Sequence, residues 1–257
     1  MINWLSPCDP SKNHAAARER YVEGTGLWLI ESNGFACWKA GTKRSMWLHG
    51  IPGAGKTILC STIIEDILNS QSDIECVYFY FDFNDSQKQT VDGFLRSILI
   101  QLCACRHDFG QIQSLFNKCK DGTHGPSQDA LVDTLLAVLK SSHRTYLILD
   151  ALDECTERNQ MIQLLKSLIN SFVNLNLLIT SRPEQDIKTE LQDNIDIKLS
   201  IQSDRVKDDV ELYVNTLLEK DTKLKCARRI KEEVLIKLVE GAHGMYIYYL
   251  NFRSTYC

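Results

Sequence analysis

Gly50, Gly55, Lys56 and Thr57 stand at the spacing G-x-x-x-x-G-K-[ST], within Gly50-Ile51-Pro52-Gly53-Ala54-Gly55-Lys56-Thr57. Each residue type meets a need of a polyphosphate. Main-chain N–H groups of a glycine-rich turn converge on phosphate oxygens, and a helix starting there adds the positive end of its dipole. Glycine lets the backbone come close and take positive φ. A lysine at position 56 reaches the β- and γ-phosphates, and the Thr57 hydroxyl is a ligand for Mg²⁺.

A second set of residues completes that chemistry. Asp150 ends the apolar run Tyr146-Leu147-Ile148-Leu149 and stands where a carboxylate holds the same Mg²⁺, directly or through water. Thr57 and Asp150 are therefore expected to meet on the metal. Hydrolysis also needs a carboxylate that orients or deprotonates water. Asp153 and Glu154 are the candidates, and they also suit an acidic cap on the next helix. Arg182 follows the run 175–180, where an arginine would feel the γ-phosphate or join a structural ion pair. His49 is expected to pack locally.

These residues need elements to position them. Ser45-Met46-Trp47-Leu48-His49 reads as a strand leading into the glycine-rich turn, and 58–68 repeats its apolar residues at helical spacing. Further strands are expected at 76–81, 146–149, 175–180 and 195–199. Helices are expected at 94–103, from an N-cap at Ser127 through 140, and at 161–172, 206–218 and 230–239. Two more, 13–23 and 25–39, would precede the first strand, separated by Gly24-Thr25-Gly26. Residues 121–126 read as a loop. Strands alternating with helices predict a parallel α/β sheet covered on both faces. Ligands of such a sheet bind off the carboxyl ends of its strands.

Composition narrows the class. The chain has 257 residues, 44% hydrophobic and 24% charged, with a net charge of −4, ordinary for a globular protein. No basic run stands out, so nucleic acid is not implied. No apolar stretch approaches a membrane span, and no secretory signal opens the chain, which makes the cytoplasm the default location. Ten cysteines include no C-x-x-C pair. The densest cluster, Cys103-Ala104-Cys105-Arg106-His107, falls on a helical pattern, where residues 103 and 105 lie about 200° apart and cannot face one ion. Scattered thiols suit a reducing compartment.

Three segments together resemble the NACHT NTPases of the STAND class: 47–57, Leu147-Ile148-Leu149-Asp150-Ala151-Leu152-Asp153-Glu154-Cys155, and Leu178-Ile179-Thr180-Ser181-Arg182-Pro183. The fungal nephrocystin-like N-terminal type is the nearest, and Trp4-Leu5-Ser6-Pro7 and Glu23-Gly24-Thr25-Gly26 also resemble that group. The resemblance implies a P-loop NTPase core with a five-stranded sheet ordered 5-1-4-3-2. It makes 50–57 the Walker A segment and Asp150 the Walker B aspartate. Asp153 and Glu154 match the offset acidic pair, and Arg182 a first sensor. It also implies a signal-transduction role like that of NLR proteins, with nucleotide as a switch and self-association or protein partners downstream. Ala151 stands where many members carry Gly. The organisation expected is an N-terminal helical segment over 1–40, a core over 41–200 and a C-terminal helical segment over 201–257. The sequence stops at Cys257, before the winged helix that members carry.

The function expected is Mg²⁺-dependent binding and slow hydrolysis of ATP, with GTP also open. The guanine-reading pattern N-K-x-D is missed by one residue in Asn117-Lys118-Cys119-Lys120-Asp121. The alternative is a non-hydrolysing interaction module in which nucleotide only orders the fold. A small-molecule phosphotransferase would need several arginines converging on phosphate, and Arg182 alone stands at a motif position.

Overall fold

The computed structural model describes residues 2–70, 74–141, 144–201 and 203–220. The helix expected at 230–239 and the C-terminal run to Cys257 lie outside the described residues. Four short helices come first, α1 (Ile2–Leu5), α2 (Ser11–Glu19), α3 (Leu27–Ile30) and α4 (Asn33–Ala40). Then follow β1 (Ser45–His49), α5 (Lys56–Ser70), β2 (Glu75–Tyr80), α6 (Val91–Arg106), α7 (Gly110–Lys118), α8 (Gln128–Lys140) and β3 (Thr145–Asp150). The remainder is α9 (Arg158–Ser171), β4 (Leu175–Ser181), α10 (Gln185–Leu191), β5 (Ile197–Ser200) and α11 (Ser203–Lys220).

The five strands form one parallel sheet in the order β2-β3-β4-β1-β5, the expected order read from the other edge. Every residue of β3 and β4 is buried, because helices cover both faces and no side of these strands meets water. The two-residue strand period sorts the side chains. Val77, Phe79, Leu147, Leu149, Leu177 and Ile179 pack with α6, α8 and α9 on one face. Met46, Leu48, Tyr80, Tyr146, Ile148 and Leu178 pack with α3, α4 and α5 on the other.

Two sequence expectations change here. The helix expected over 25–39 is two helices, because Ser32 takes extended backbone and its Oγ accepts a hydrogen bond from Phe35 N at 3.1 Å. An N-cap of this kind starts a new helix rather than continuing an old one. The preceding helix ends at Glu19 rather than at residue 23. α4 is then anchored on the sheet: Trp38 Nε1 donates to Leu177 O at 2.9 Å, and Asn176 Nδ2 donates to Trp38 O. Two short helices, α7 and α10, lie in stretches with no element expected. Cys103 is buried and Cys105 exposed, as their angular separation predicts, and both are free thiols. Among the described residues no helix is long and apolar enough to cross a membrane.

Candidate functional site

β1 delivers the chain to Gly50 at the carboxyl end of the sheet, between β4 and β5. Gly50 N donates to Ser181 O at 3.3 Å, and Ile201 N donates to His49 O at 2.7 Å. A Cβ on Gly50 would come within 3.1 Å of both the Ile201 side chain and its carbonyl. Gly53 and Gly55 take φ of 74° and 84°, a region that strains any other residue. Ile51 and Pro52 ride on the outside of the loop while Ala54 tucks in, 2% exposed. α5 begins at Lys56, so its N-terminal N–H groups open onto the loop. Lys56 Nζ donates to Gly50 O at 2.8 Å and to Ile51 O at 2.9 Å. Burial lowers the pKa of this ammonium, and Asp153 and Asp150 draw it back up.

Thr57 and Asp150 meet. Thr57 Oγ1 donates to Asp150 Oδ2 at 2.7 Å across 93 residues of sequence. The other oxygen, Oδ1, accepts from Thr180 Oγ1 at 2.5 Å. Thr180 sits on β4, the strand inserted between β1 and β3, so one hydroxyl ties the two halves of the site together. Asp150 is 2% exposed. Burial raises its pKa, against the two threonine hydroxyls and the Lys56 charge, which lower it.

β3 ends abruptly after Asp150. Ala151 turns into the left-handed region, φ 58° and ψ 47°, and Leu152–Glu154 form one 3₁₀ turn. Leu152 is fully buried and anchors that turn. Ala151 N donates to Thr180 Oγ1 at 3.0 Å. Asp153 and Glu154 then diverge. Asp153, its side chain 4% exposed, grips Arg182 twice, with Oδ1 accepting from Arg182 N at 2.9 Å and Oδ2 paired with Nε at 3.0 Å. The Arg182 side chain itself is 44% exposed. Glu154 Oε2 accepts from Phe83 N at 2.9 Å. Burial raises the pKa of Glu154, the Phe83 N–H lowers it, and the Asp153 charge raises it further. His49 stacks on Trp47 with ring centroids 4.5 Å apart, the packing role expected.

Pro52, Gly53, Gly55, Lys56, Thr57, Asp150, Asp153, Glu154 and Arg182 open on one cavity of about 600 Å³, whereas Gly50, Ile51, Ala54, Thr180 and His49 do not line it. Its walls include residues that sequence reasoning missed. Ala16 and Ala17 come from α2, Arg20 from its C-cap, Thr25 from the Gly24-Thr25-Gly26 turn, Phe83 and Asn84 from the loop after β2, and Tyr213 from α11. The two glycines around Thr25 were a visible signal. The others owe their place to tertiary docking. Asn117 and Asp121 do not line the cavity.

The donor set suits Mg²⁺. A hydroxyl and a carboxylate at 2.7 Å are hard oxygen ligands, and Mg²⁺ completes such a pair with phosphate and water rather than with a protein cage. The glycine loop, with its positive φ angles and its helix N-terminus, suits the phosphates. A parallel sheet of this order, with that loop after β1 and an aspartate ending β3, defines the P-loop NTPase class.

Residues 24–182 match the nephrocystin 3 N-terminal family. The chain belongs to that family and is a NACHT-type P-loop NTPase. It is 25% identical over 193 residues to the vegetative incompatibility protein HET-E-1 of Podospora anserina, covering 72% of this chain. The match spans 14% of that relative's length. Among solved structures it is similar to Cdc6p from Pyrobaculum aerophilum, with 14% identity and a TM-score of 0.47 over 74% of this chain and 48% of that one. It is also similar to C. elegans PCH-2, with 18% identity and a TM-score of 0.45 over 91% of this chain and 57% of that one.

Proposed function

We propose that this chain binds ATP with Mg²⁺ and hydrolyses it slowly as the nucleotide switch of an NLR-like signalling protein in the cytoplasm. The observation that carries the reading is the Thr57–Asp150 contact beside an open glycine loop. Main-chain N–H groups over 50–57 hold the phosphates. Lys56 exchanges its two loop carbonyls for phosphate oxygens, and Thr57 and Asp150 hold the cation. Magnesium, when bound, neutralises charge that builds between the β- and γ-phosphates.

Glu154 and Asp153 take different parts. Glu154, with its affinity for protons raised by burial, receives a proton from the attacking water at its carboxylate. Asp153 holds Arg182 at the end of β4, and Arg182 answers to the γ-phosphate. Residues 41–200 form the NTPase core. Ala16, Ala17, Arg20 and Thr25 from the N-terminal segment, and Tyr213 of α11, line the same cavity and wall the nucleotide. The resemblance to the NACHT NTPases, with a vegetative incompatibility protein as a similar chain, supports a signalling role with self-association or a protein partner.

One observation favours a non-hydrolysing module instead: Asp153 accepts a hydrogen bond with one oxygen and is ion-paired to Arg182 through the other, and one oxygen of Glu154 accepts a hydrogen bond from Phe83 N. Single-turnover assays separate the two. Release of phosphate from MgATP by the unmodified chain supports the switch, and tight binding without release supports the module. Chromatography of the nucleotide freed by denaturing the purified protein decides the base. Adenine is expected, a guanine nucleotide corrects it, and a chain that carries none and takes up none rejects the reading.

A further inference from the structure

The Gly24-Thr25-Gly26 turn is clamped between the phosphate-binding helix and α11. On one side, a Cβ at Gly26 would come within 2.9 Å of the Leu59 side chain, one turn into α5. On the other, a Cβ at Gly24 would meet the Leu212 side chain at 3.0 Å. Both glycines have positive φ, 91° and 81°, which lets the backbone thread this gap without side chains. The clamp is closed by Asp209 of α11. Its Oδ2 accepts from Gly26 N at 2.9 Å and from Trp28 Nε1 at 3.0 Å. Asp209 is 7% exposed, and a buried carboxylate held by two donors fixes geometry more firmly than an apolar contact, because pulling it off both would leave it buried without a partner.

Four residues on, the same face of α11 presents Tyr213, which lines the nucleotide cavity together with Thr25. Val210, between them, is 3% exposed and belongs to the cluster that holds Leu29 and Leu59. The phosphates belong to the 50–57 end of the cavity. Thr25 and Tyr213, with Ala16 and Ala17, are among the walls left for the nucleoside.

Building on the nucleotide-binding reading, we infer that Asp209 is a positioning residue for nucleotide. It locks α11 to the Gly24–Gly26 turn and so sets Tyr213 and Thr25 as the nucleoside wall. Occupancy of the site and docking of α11 are then coupled, and each favours the other by the same factor.

The test compares two probes by titration calorimetry on the full chain, MgATP and magnesium tripolyphosphate. Tripolyphosphate needs the loop and the metal ligands but no nucleoside wall. Asp209→Ala and Tyr213→Ala should each weaken MgATP about tenfold or more, while tripolyphosphate changes by less than about twofold. Asp209→Asn keeps an acceptor oxygen for both donors and should recover most of the loss. Unchanged MgATP affinity in both alanine variants overturns the inference, and so does an equal loss for both probes, which would mark a general loosening of the fold. An unmodified chain that binds neither probe rejects the nucleotide reading itself. A chain that binds both, with Asp209→Ala indistinguishable from it, rejects only the role of Asp209.

Discussion

Thr57 Oγ1 lies 2.7 Å from Asp150 Oδ2, a contact between the first turn of α5 and the last residue of β3. The two elements pack through Leu59, Cys60, Ile63, Tyr146 and Ile148 in one cluster. β4 between β1 and β3 keeps the spacing fixed through Thr180. The contact, made by an exposed threonine at the cavity, is therefore held in place by the core packed beneath it.

Lys56 folds back on two carbonyls of its own loop, Gly50 O and Ile51 O. In the proposed function, Lys56 leaves them for phosphate when nucleotide binds. Lys56→Ala should weaken ATP by about 1.5–3 kcal/mol, the range for hydrogen bonds to charged groups. Titration calorimetry reads this directly, and an unaltered affinity would refute the assigned role.

Asp150 trades stability for function. Its pKa is raised above the ordinary value of 3.8 by burial, so the folded state holds this proton more tightly than the unfolded one. Stability associated with the group is complete below the ordinary value and declines as pH rises through the raised one. Asp150→Asn removes that penalty. Thermal melts without nucleotide should give a higher midpoint for Asp150→Asn at neutral pH, with the gap closing in acid near the ordinary carboxylate value. A lower midpoint for the variant at neutral pH would contradict the sign.

Glu154 and Asp153 are neighbours with different partners, one on Phe83 N and one on Arg182, and the proposed mechanism gives them separate duties. Glu154→Gln keeps an acceptor for Phe83 N and should slow single-turnover hydrolysis by about 10²- to 10⁴-fold, the usual worth of a general base, with binding preserved. Asp153→Asn should cost less and should act through Arg182, so that adding Arg182→Ala brings little further loss. Full turnover in Glu154→Gln with none in Asp153→Asn would exchange the two roles.

Ala151 occupies left-handed backbone, φ 58°, where a Cβ costs about 1–2 kcal/mol. Ala151→Gly relieves this against a smaller loss of chain entropy. Its midpoint should rise by a few degrees, for a net gain of about 0.5–1 kcal/mol in a domain of this size. A fall in the midpoint would mean that the turn is shaped by something other than backbone relief.

Much of the fold was legible because its signals are local. β3 and β4 are near-continuous apolar runs, Tyr146–Leu149 and Leu177–Ile179 at their centres, as suits strands buried on both faces. The glycine loop has strand before it and helix after it, and the Ser127 cap starts α8 as read, with its Oγ accepting from Ala130 N. What stayed hidden is either weak or long-range. α7 buries only Ile112 and Leu115, too few to mark a period. The break at Ser32 is one cap inside an apolar stretch. The division of labour between Asp153 and Glu154 depends on where Arg182 and Phe83 come to rest, which no spacing along the chain reveals. Asp209 sits beside Val210 on a helix otherwise read as amphipathic, and its partners Gly26 and Trp28 lie some 180 residues away.

The most direct measurement is ATP affinity with and without Mg²⁺, taken on the unmodified chain and on Asp150→Ala. A cation shared between Thr57 and Asp150 predicts that Mg²⁺ tightens binding in the first and adds little in the second, with metal-free affinities alike. Equal losses with and without Mg²⁺ would contradict it.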